Sequence, residues 1–372
     1  MAEIQLRNLT KRFEDVIAIN NVSLETQDRE FLVMLGPSGC GKTTTLRSIA
    51  GLEHPQEGDI FIGETRVNGL APADRDIAFV FQFYALYPHL TVYDNIAFPL
   101  KAAKVAKSDI EERVLRVAQM LRIEHILNRK PSLLSGGEMQ RVAIGRSMIR
   151  RPTVFLMDEP MSNLDAKLRV EMRSELKRLQ QQLGTTAIYV THDQVEAMSM
   201  ADRIAIMDHG RLKQIGTPEA VYNQPENLFV AGFMGNPSMN LLPCWFDSAE
   251  QQLRLEHTEV AIKLESQHID LIRPAISDQL VFGIRPERAH LSTIPTASNL
   301  QAKVHLVEPL GSANIIDILL GRDPVGELVL LRVRTHPTLM PDPGQVVWLH
   351  LEQQHVHIFD RVTGEALRSG LD

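Results

Sequence analysis

The sequence predicts an α/β domain built on a parallel sheet, followed by a small all-β domain. In the first two-thirds of the chain, short continuous apolar runs alternate with helix-like segments, a pattern typical of strands covered by helices on both faces. After about residue 236 the long helical patterns disappear, and short strand-like pieces separated by Pro, Gly and Asp follow. We therefore expect a first domain at 1–235 and a second at 236–372.

Five apolar runs are the expected strands of the parallel sheet: 31–35, 77–81, 154–157, 187–190 and 203–207. Helices are expected from about Asp109 to Arg122 and from about Asp165 to Leu183, where Gly184 supplies a stop signal. Leucines and one methionine recur at helical spacing in the second helix, and we interpret this stripe as core packing.

Charge and cysteine content exclude several classes of function. The chain has 39 Lys and Arg against 46 Asp and Glu, so its net charge of −7 argues against nucleic acid as a partner. The two cysteines, Cys40 and Cys244, argue against a disulfide framework and fit a reducing cytoplasm. The sequence has no apolar signal region near its start and no run of roughly 18 apolar residues, so we expect any membrane association to require embedded partners.

The first expected strand leads directly into a glycine-rich loop and a helix-like run. The loop matches G-x-x-x-x-G-K-[ST], whose backbone N–H groups and helix N-terminus form an anion site for phosphates. Lys42 is expected to neutralise the terminal phosphates, and the Thr43 hydroxyl to bind Mg²⁺. Cys40 stands at a variable position of the loop, where a redox role is the alternative. The expected ATP-binding residues of this loop are Gly36, Pro37, Ser38, Gly39, Cys40, Gly41, Lys42, Thr43 and Thr44.

A second buried strand delivers two carboxylates at its carboxyl end, the edge where open α/β sheets bind ligands. Asp158 is expected to hold Mg²⁺, directly or through water, and Glu159 to orient and deprotonate the attacking water. Phosphoryl transfer depends mostly on positioning and charge neutralisation, with one polar group that aligns the nucleophile. The sequence therefore predicts hydrolysis of a nucleoside triphosphate.

The run Leu134–Arg141, LSGGEMQR, resembles the signature sequence of the ABC ATPases, and with the two motifs above it identifies the chain as a member of that family. The resemblance implies an ABC-type nucleotide-binding domain with a helical subdomain at about 88–150. It further implies that Phe13 stacks on adenine, that Gln82 senses Mg²⁺, and that His192 contacts the γ-phosphate. Considered singly, Phe13 and His192 are more typical of core or surface residues.

The family resemblance also implies a homodimer in which each ATP lies between the lysine loop of one subunit and the signature of the other. The residues expected to bind ATP in trans are Ser135, Gly136, Gly137, Glu138 and Asp165. Glu138 replaces the family's usual glutamine, and a carboxylate beside a triphosphate is repulsive. Two alternatives stay open: Glu138 points away from the nucleotide, or the enzyme closes more weakly.

Segments 82–92 and 162–169 resemble the ATPases of bacterial carbohydrate importers, of the maltose and glycerol-3-phosphate type. This resemblance implies that Phe83, Tyr84, Leu86 and Tyr87 line a groove for coupling helices of two membrane permease subunits; core packing is the alternative for Phe83 and Tyr87. It also implies a periplasmic or lipid-anchored substrate-binding protein as an indirect partner, and a peripheral location on the cytoplasmic face of the inner membrane.

Segments 283–287, 307–311 and 359–360 resemble the oligonucleotide/oligosaccharide-binding-like (TOBE-type) barrel appended to such importers, which implies dimer support or regulation. Importers of polyamine, iron or sulfate share these motifs and remain an alternative. A non-transport ABC ATPase and a catalytically dead regulatory subunit are more remote alternatives. The single cassette and the absence of long heptads in the sequence argue against the former, and intact Lys42 and Glu159 against the latter.

Overall fold

The computed structural model describes residues 3–256, 258–266, 269, 272, 279–295, 299–321 and 328–367. The chain divides into two compact units, Met1–Glu219 and Ala220–Asp372. The helices and strands of the first unit are β1 (Ile4–Phe13), β2 (Val16–Glu25), β3 (Phe31–Leu35), α1 (Lys42–Ala50), β4 (Glu57–Ile62), β5 (Thr65–Arg66), β6 (Ile77–Val80), α2 (Val92–Ala102), α3 (Lys107–Leu121), α4 (Gly136–Met148), β7 (Val154–Asp158), α5 (Ala166–Leu183), β8 (Thr186–Thr191), α6 (Gln194–Met200), β9 (Arg203–Asp208) and β10 (Arg211–Gly216).

A six-stranded sheet in the order β10-β9-β3-β8-β7-β6 forms the centre of the first unit. Its strands run parallel except β10, which pairs antiparallel with β9. Every residue of β3, β7 and β8 is buried, as expected for strands covered on both faces. The predicted α/β fold is thereby confirmed, and the carboxyl ends of β3, β8, β7 and β6 meet at one edge of the sheet.

A separate antiparallel sheet in the order β2-β1-β4-β5 was not anticipated from the sequence. Strands β1 and β2 carry register shifts, which interrupt the alternation of buried and exposed side chains that would have identified them. The apolar residues of this sheet share one core with β3, β7, β8 and α1.

Helices α2, α3 and α4 lie within the segment 88–150 that was expected to form a helical subdomain. Helix α3 begins two residues before the expected Asp109, and Arg122 follows it in the left-handed conformation. Helix α5 begins immediately after Asp165, which caps it, and ends before Gly184, also left-handed. Met172, Leu176 and Leu179 of its apolar stripe are buried, so the interpretation of this stripe as core packing is confirmed.

The second unit is built almost entirely from β-strands. Two five-stranded sheets, β13-β12-β11-β14-β20 and β15-β19-β16-β17-β18, contribute their apolar faces to one shared core. This agrees with the predicted all-β domain. Its elements are α7 (Pro218–Asn223, which begins in the first unit), α8 (Leu228–Phe233), β11 (Asn240–Asp247), β12 (Gln252–Leu255), β13 (Ala261–Lys263), β14 (Gln279–Ile284), β15 (Ala289–Ser292), β16 (Leu300–Pro309), β17 (Asn314–Leu320), β18 (Val329–Thr335), β19 (Val346–Leu351) and β20 (His357–Asp360).

Residues 220–235 pack with the second unit, whereas the sequence led us to expect a domain change between 235 and 236. The buried guanidinium of Arg285 is one reason, since it donates hydrogen bonds to the carbonyl oxygens of Tyr222 and Met234. The Leu228 N–H also donates to the Gly364 carbonyl at 2.8 Å. The position of the boundary along the sequence stays a prediction.

Among the residues that the structure describes, no helix combines the length and the apolar character that crossing a membrane requires.

Candidate functional site

The glycine-rich loop joins the carboxyl end of β3 to the first residue of α1. Gly41 adopts φ 104°, and a Cβ at this position would overlap the Ala18 carbonyl oxygen of β2. Both the backbone conformation and the close approach therefore require glycine here. The loop is also fixed by two N–H donors, because Gly210 donates to the Cys40 carbonyl at 3.0 Å and Cys40 to the Pro37 carbonyl at 3.3 Å.

The Lys42 ammonium is folded back onto its own loop. Its Nζ donates to the carbonyl oxygens of Gly36 and Pro37, both at 2.8 Å, and the side chain is buried. The Cys40 sulfur lies 3.7 Å from the same nitrogen. Burial raises the pKa of the Cys40 thiol, so the thiolate needed for redox chemistry is disfavoured at this position.

Thr43 and Asp158 are brought together although they lie far apart in sequence. The Thr43 hydroxyl donates to Oδ1 of Asp158 at 2.8 Å, which joins the start of α1 to the end of β7. Burial is the main cause that raises the pKa of the Asp158 carboxyl, with the Thr43 hydrogen bond acting in the opposite direction. A hydroxyl and a carboxylate oxygen in contact form the hard, all-oxygen donor set that Mg²⁺ prefers, so these residues fit that ion.

Glu159 contacts two other expected site residues. Its Oε1 lies 3.2 Å from Nδ1 of His192, and its Oε2 accepts a hydrogen bond from Nε2 of Gln82 at 3.4 Å. Glu159 follows β7, His192 follows β8 and Gln82 follows β6. The three residues lie side by side because β8, β7 and β6 are neighbours in the sheet. Glu159 adopts φ 42°, a left-handed conformation that is strained for this residue type and clusters at functional sites.

The loop after Glu159 is tied to the same cluster. The Ser162 hydroxyl donates to the Glu159 carbonyl at 3.1 Å, and the Asn163 amide donates to the Gln82 carbonyl at 3.1 Å. Asp165 then caps α5, since its Oδ1 accepts the Leu168 N–H at 3.0 Å.

The signature run forms the start of α4, where Ser135 is the cap residue. Its hydroxyl accepts the Glu138 N–H at 3.4 Å and donates to Oε2 of Glu138 at 2.8 Å. The Ser135 N–H donates to the same carboxylate oxygen at 2.8 Å. These contacts complete a capping box and hold the pKa of Glu138 below its usual value. The two alternatives drawn from the sequence, that Glu138 points away from the nucleotide or that the enzyme closes more weakly, stay predictions, because both concern the nucleotide and not the contact with Ser135.

The two signature glycines make room for the neighbouring elements, in addition to the ATP-binding role in trans that the family resemblance implies. A Cβ on Gly137 would lie 2.6 Å from a methyl carbon of Leu168, so Leu168 of α5 would have to move. A Cβ on Gly136 would contact the hydroxyl of Tyr84 and a methyl of Leu164 at 3.4 Å. The signature helix is therefore packed against the loop that follows Glu159 and against the segment that follows Gln82.

Phe13 ends β1 at the tip of the hairpin whose second strand contacts Gly41. The ring is 43% exposed, and the Lys11 ammonium lies 4.6 Å from its centroid. Val16 and Ile17 are also exposed at this tip, which leaves an apolar surface suited to stacking on a planar base.

The aromatic segment after Gln82 is partly exposed. Phe83 is 74% exposed, so simple core packing does not describe it. Tyr87 is only partly exposed, since its ring centroid lies 4.6 Å from that of Phe98. Tyr84 and Leu86 are half-buried.

Sequence reasoning missed Arg146 and Glu196, whose partners become evident only in three dimensions. Arg146 of α4 donates to the carbonyl oxygens of Ala85 at 2.7 Å and Tyr84 at 3.3 Å, so it holds the aromatic segment against the signature helix. Buried Glu196 accepts hydrogen bonds from the hydroxyls of Tyr189 and Thr191, which fixes the end of β8 just before the site histidine. An isolated arginine in the otherwise apolar second half of α4 was the available signal.

The chain is similar to known proteins along most of its length. The ABC transporter family model matches residues 19–162, the MalK OB fold domain 235–289 and the TOBE domain 282–359. The trehalose/maltose import ATP-binding protein MalK of Thermococcus litoralis is 48% identical over 99% of this chain and 100% of that protein. The osmoprotective compounds uptake ATP-binding protein GgtA of Synechocystis is 47% identical over 97% of this chain and 98% of its own length. The xylose/arabinose import ATP-binding protein XacJ of Haloferax volcanii is 45% identical, over 99% and 96%.

A solved dimeric ATP-binding cassette, captured after hydrolysis with ADP and phosphate bound, is 33% identical to this chain. It superposes with a TM-score of 0.53 over 58% of this chain and 98% of that one. The relatives are 45% to 48% identical over nearly the whole chain, three family models match, and a cassette structure superposes on the first part. The chain belongs to the ABC transporter family and is an ABC ATPase.

Proposed function

We propose that this chain hydrolyses ATP at the edge of the sheet formed by β3, β8, β7 and β6, and that the energy drives an importer for carbohydrates. The observation that carries the proposal is the convergence of Gln82, Glu159 and His192 beside the pair formed by Thr43 and Asp158. Three strand ends and the start of α1, all distant in sequence, supply these groups, and such convergence is expected of a site for phosphoryl transfer.

The residues divide into groups that bind and one group that acts on water. Lys42 leaves its loop carbonyls to neutralise the terminal phosphates, and the loop N–H groups bind the remaining phosphate oxygens. Thr43, Gln82 and Asp158 would hold Mg²⁺; when bound, this ion neutralises charge on the phosphates. Glu159 aligns and deprotonates the attacking water. His192 contacts the γ-phosphate, and from 3.2 Å away it also orients Glu159.

The second half of each site comes from another copy of the chain. Ser135 is exposed, and within the described residues its side chain bonds only to Glu138, so its face of α4 is open to a partner. Ser135, Gly136 and Gly137 would bind the γ-phosphate of an ATP held by the lysine loop of the partner subunit, with Asp165 near the same interface. The dimeric state of the similar cassette supports this arrangement.

Two membrane permease subunits are the proposed partners on the aromatic segment. Exposed Phe83, together with Tyr84, Leu86 and Tyr87, suits a helix-in-groove contact for one coupling helix of each permease. Because Arg146 joins this segment to the signature helix, movement of α4 during dimer closure would reach the docked permease helix. A substrate-binding protein would deliver the cargo to the permeases. The subunit would therefore lie peripherally at the cytoplasmic face of the membrane.

A carbohydrate is the proposed cargo because two of the relatives above import sugars, trehalose/maltose and xylose/arabinose. The third takes up osmoprotective compounds, so the cargo class differs among chains of comparable identity. ATPase activity of the complete importer, measured with binding proteins loaded with sugar, polyamine, iron or sulfate, discriminates the alternatives. If ATPase activity were stimulated only by a binding protein loaded with polyamine, iron or sulfate, the carbohydrate assignment would be contradicted.

Replacement of Glu159 by Gln tests the composite site. The substitution removes the base while keeping the shape, so we expect turnover to fall about 10²- to 10⁴-fold and ATP to trap a stable dimer. Glu112→Gln, which changes an exposed i,i+4 pair on α3, is the matched control and should behave as wild type. A Glu159→Gln chain that stays monomeric in saturating ATP, measured by light scattering, would overturn the composite site.

A further inference from the structure

The capping box on α4 places a negative charge on the donors that the proposed function assigns to a phosphate. Glu138 Oε2 accepts both the Ser135 N–H and the Ser135 hydroxyl, each at 2.8 Å. This carboxylate belongs to the third residue of the helix, so it lies at the helix N-terminus, where partial positive charge accumulates. It therefore occupies the position of an anionic ligand within its own chain.

We infer that Glu138 is a latch that holds the Ser135 hydroxyl in the nucleotide-free subunit and must release it before the partner subunit's ATP can bind. The inference rests on the proposed function, since it requires the composite dimer site. It names Glu138 as a positioning residue that sets the ATP concentration at which two subunits close.

The latch follows from the single proton of the Ser135 hydroxyl. A serine hydroxyl carries a single O–H donor, so it can donate to the carboxylate or to a phosphate oxygen but not to both. A hydrogen bond to a charged acceptor is roughly twice as strong as one between neutral groups. Closure of the dimer therefore begins by breaking a charge-assisted bond, which a glutamine at this position would not form.

Glutamine can still serve as the third residue of a capping box, because its amide oxygen accepts from the cap N–H. The substitution Glu138→Gln thus removes the charge while retaining the cap. From the difference between a charged and a neutral acceptor, we expect half-maximal dimer formation at about fivefold lower ATP concentration. In Glu138→Gln, the rate of hydrolysis at saturating ATP should change by a smaller factor than the ATP concentration for half-maximal dimer formation, because Glu138 is proposed to act before closure.

The chain offers a control in the cap of α2, which shares the hydroxyl–carboxylate contact of the α4 cap and whose Asp94 also pairs with Lys101. The Thr91 hydroxyl donates to Oδ2 of Asp94 at 2.8 Å and accepts the Asp94 N–H at 3.1 Å, at the start of α2. Asp94→Asn removes a capping carboxylate without altering the signature. Its ATP dependence of dimer formation should equal that of wild type, so a general effect of weakened caps is separated from the latch.

A double-mutant cycle separates the latch from simple charge repulsion. The titrations of dimer formation use the full chain with Glu159→Gln, which allows dimers to accumulate, and they follow added ATP by light scattering. If Glu138 acts by holding the hydroxyl, Glu138→Gln should produce its gain with Ser135 present and no gain with Ser135→Ala. An equal gain in both backgrounds would mean that only repulsion operates, and it would overturn the latch.

The outcomes for the proposed function and for the latch are distinct. Failure of the Glu159→Gln chain to dimerise at any ATP concentration contradicts the composite site and with it the latch. If dimers form but Glu138→Gln leaves the ATP dependence of their formation unchanged, the latch alone is overturned. A shift of about fivefold that is lost with Ser135→Ala, while Asp94→Asn has no effect, supports it.

Discussion

Two helix N-termini of this chain are candidate phosphate-binding ends, and they differ in how their N–H groups are satisfied. Helix α1 begins after Gly41 with no side-chain cap and no acidic residue in its first turn, both within the described chain. Helix α4 begins after Ser135 with a complete capping box and Glu138 in its first turn. The N-terminus of α1, here called the open end, is left for an anion. The N-terminus of α4, the closed end, is already occupied by the carboxylate of Glu138.

The difference is reflected in the position of the nearest positive charge. The α1 end carries Lys42, which is buried on the loop carbonyls and, in the proposed function, leaves them for the phosphates. At the α4 end no lysine is built into the signature, so the donors are a hydroxyl and backbone N–H groups. An open end with a lysine in its own loop is suited to bind a triphosphate, whereas a closed end with no lysine in its signature is suited to respond only when a partner presents the phosphate.

The largest expected effect comes from removing the cation of the open end. Lys42→Ala should lower ATP hydrolysis on the order of a hundredfold or more, since charge stabilisation at the transferring group is lost. Nucleotide affinity, measured by equilibrium binding of a fluorescent ATP analogue, should fall with it. Lys101→Ala is the control, because it removes an exposed ion pair with Asp94 and a contact with the Tyr93 ring, both away from the loop, and should leave both measurements unchanged. Full activity of Lys42→Ala would remove the open end from the mechanism.

The next effect concerns the group that orients the base beside the open end. His192→Ala should retain ATP binding but lower turnover about a hundredfold, because Glu159 loses the partner 3.2 Å from its Oε1. Single-turnover hydrolysis and ATP binding, measured on the same preparation, separate the two contributions. Wild-type turnover in His192→Ala would exclude this histidine from the reaction.

A smaller effect is expected from the cap of the closed end. Ser135→Ala removes a capping hydroxyl and should destabilise the chain by about 1 kcal/mol, as measured by urea unfolding. Thr91→Ala, which removes the corresponding hydroxyl from α2, should cost a similar amount. Only Ser135→Ala should also weaken ATP-driven dimer formation; if Thr91→Ala weakens it equally, the α4 end has no special role.

The smallest effect is the pH dependence of that cap. The pKa of Glu138 is held below its ordinary value of 4.5 by the two Ser135 hydrogen bonds, with smaller contributions from Arg129 and His125. The carboxylate therefore adds stability that is fully present above 4.5 and is lost as the pH falls through the lowered value. We expect the difference in urea midpoint between wild type and Glu138→Gln to shrink from about pH 7 to below about pH 4. A constant difference across this range would contradict an ionised cap.

Much of the open end could be predicted because its residues are consecutive. Gly36 to Thr43 follow an apolar strand and precede a helix, and this local order alone specifies an anion-binding loop. Asp158 and Glu159 were predictable for the same reason, as a polar pair at the end of a buried strand. The register shifts of β1 and β2 concealed the antiparallel sheet, so that part of the fold was missed.

The closed end was less predictable. The presence of glutamate at residue 138, where the family usually has glutamine, was visible, and Ser135 followed three residues later by a glutamate is a capping-box pattern, but we asked only whether the carboxylate turns toward the nucleotide or away from it. That choice depends on the side-chain rotamer that the first turn of α4 allows. Arg146 was missed because its partners are backbone carbonyls, and no side-chain pattern in the sequence indicates a carbonyl.

The sequence by itself determined the fold class, the family and the glycine-rich loop, because each is encoded in short runs whose meaning depends on local geometry. Only the tertiary structure decided that Gln82, Glu159 and His192 meet at one sheet edge and that Thr43 contacts Asp158. The physical reason is that strand order, rather than sequence order, sets which strand ends are neighbours. The occupation of the Ser135 donors by Glu138 was likewise decided by three-dimensional geometry, since a single hydroxyl proton has only one acceptor at a time.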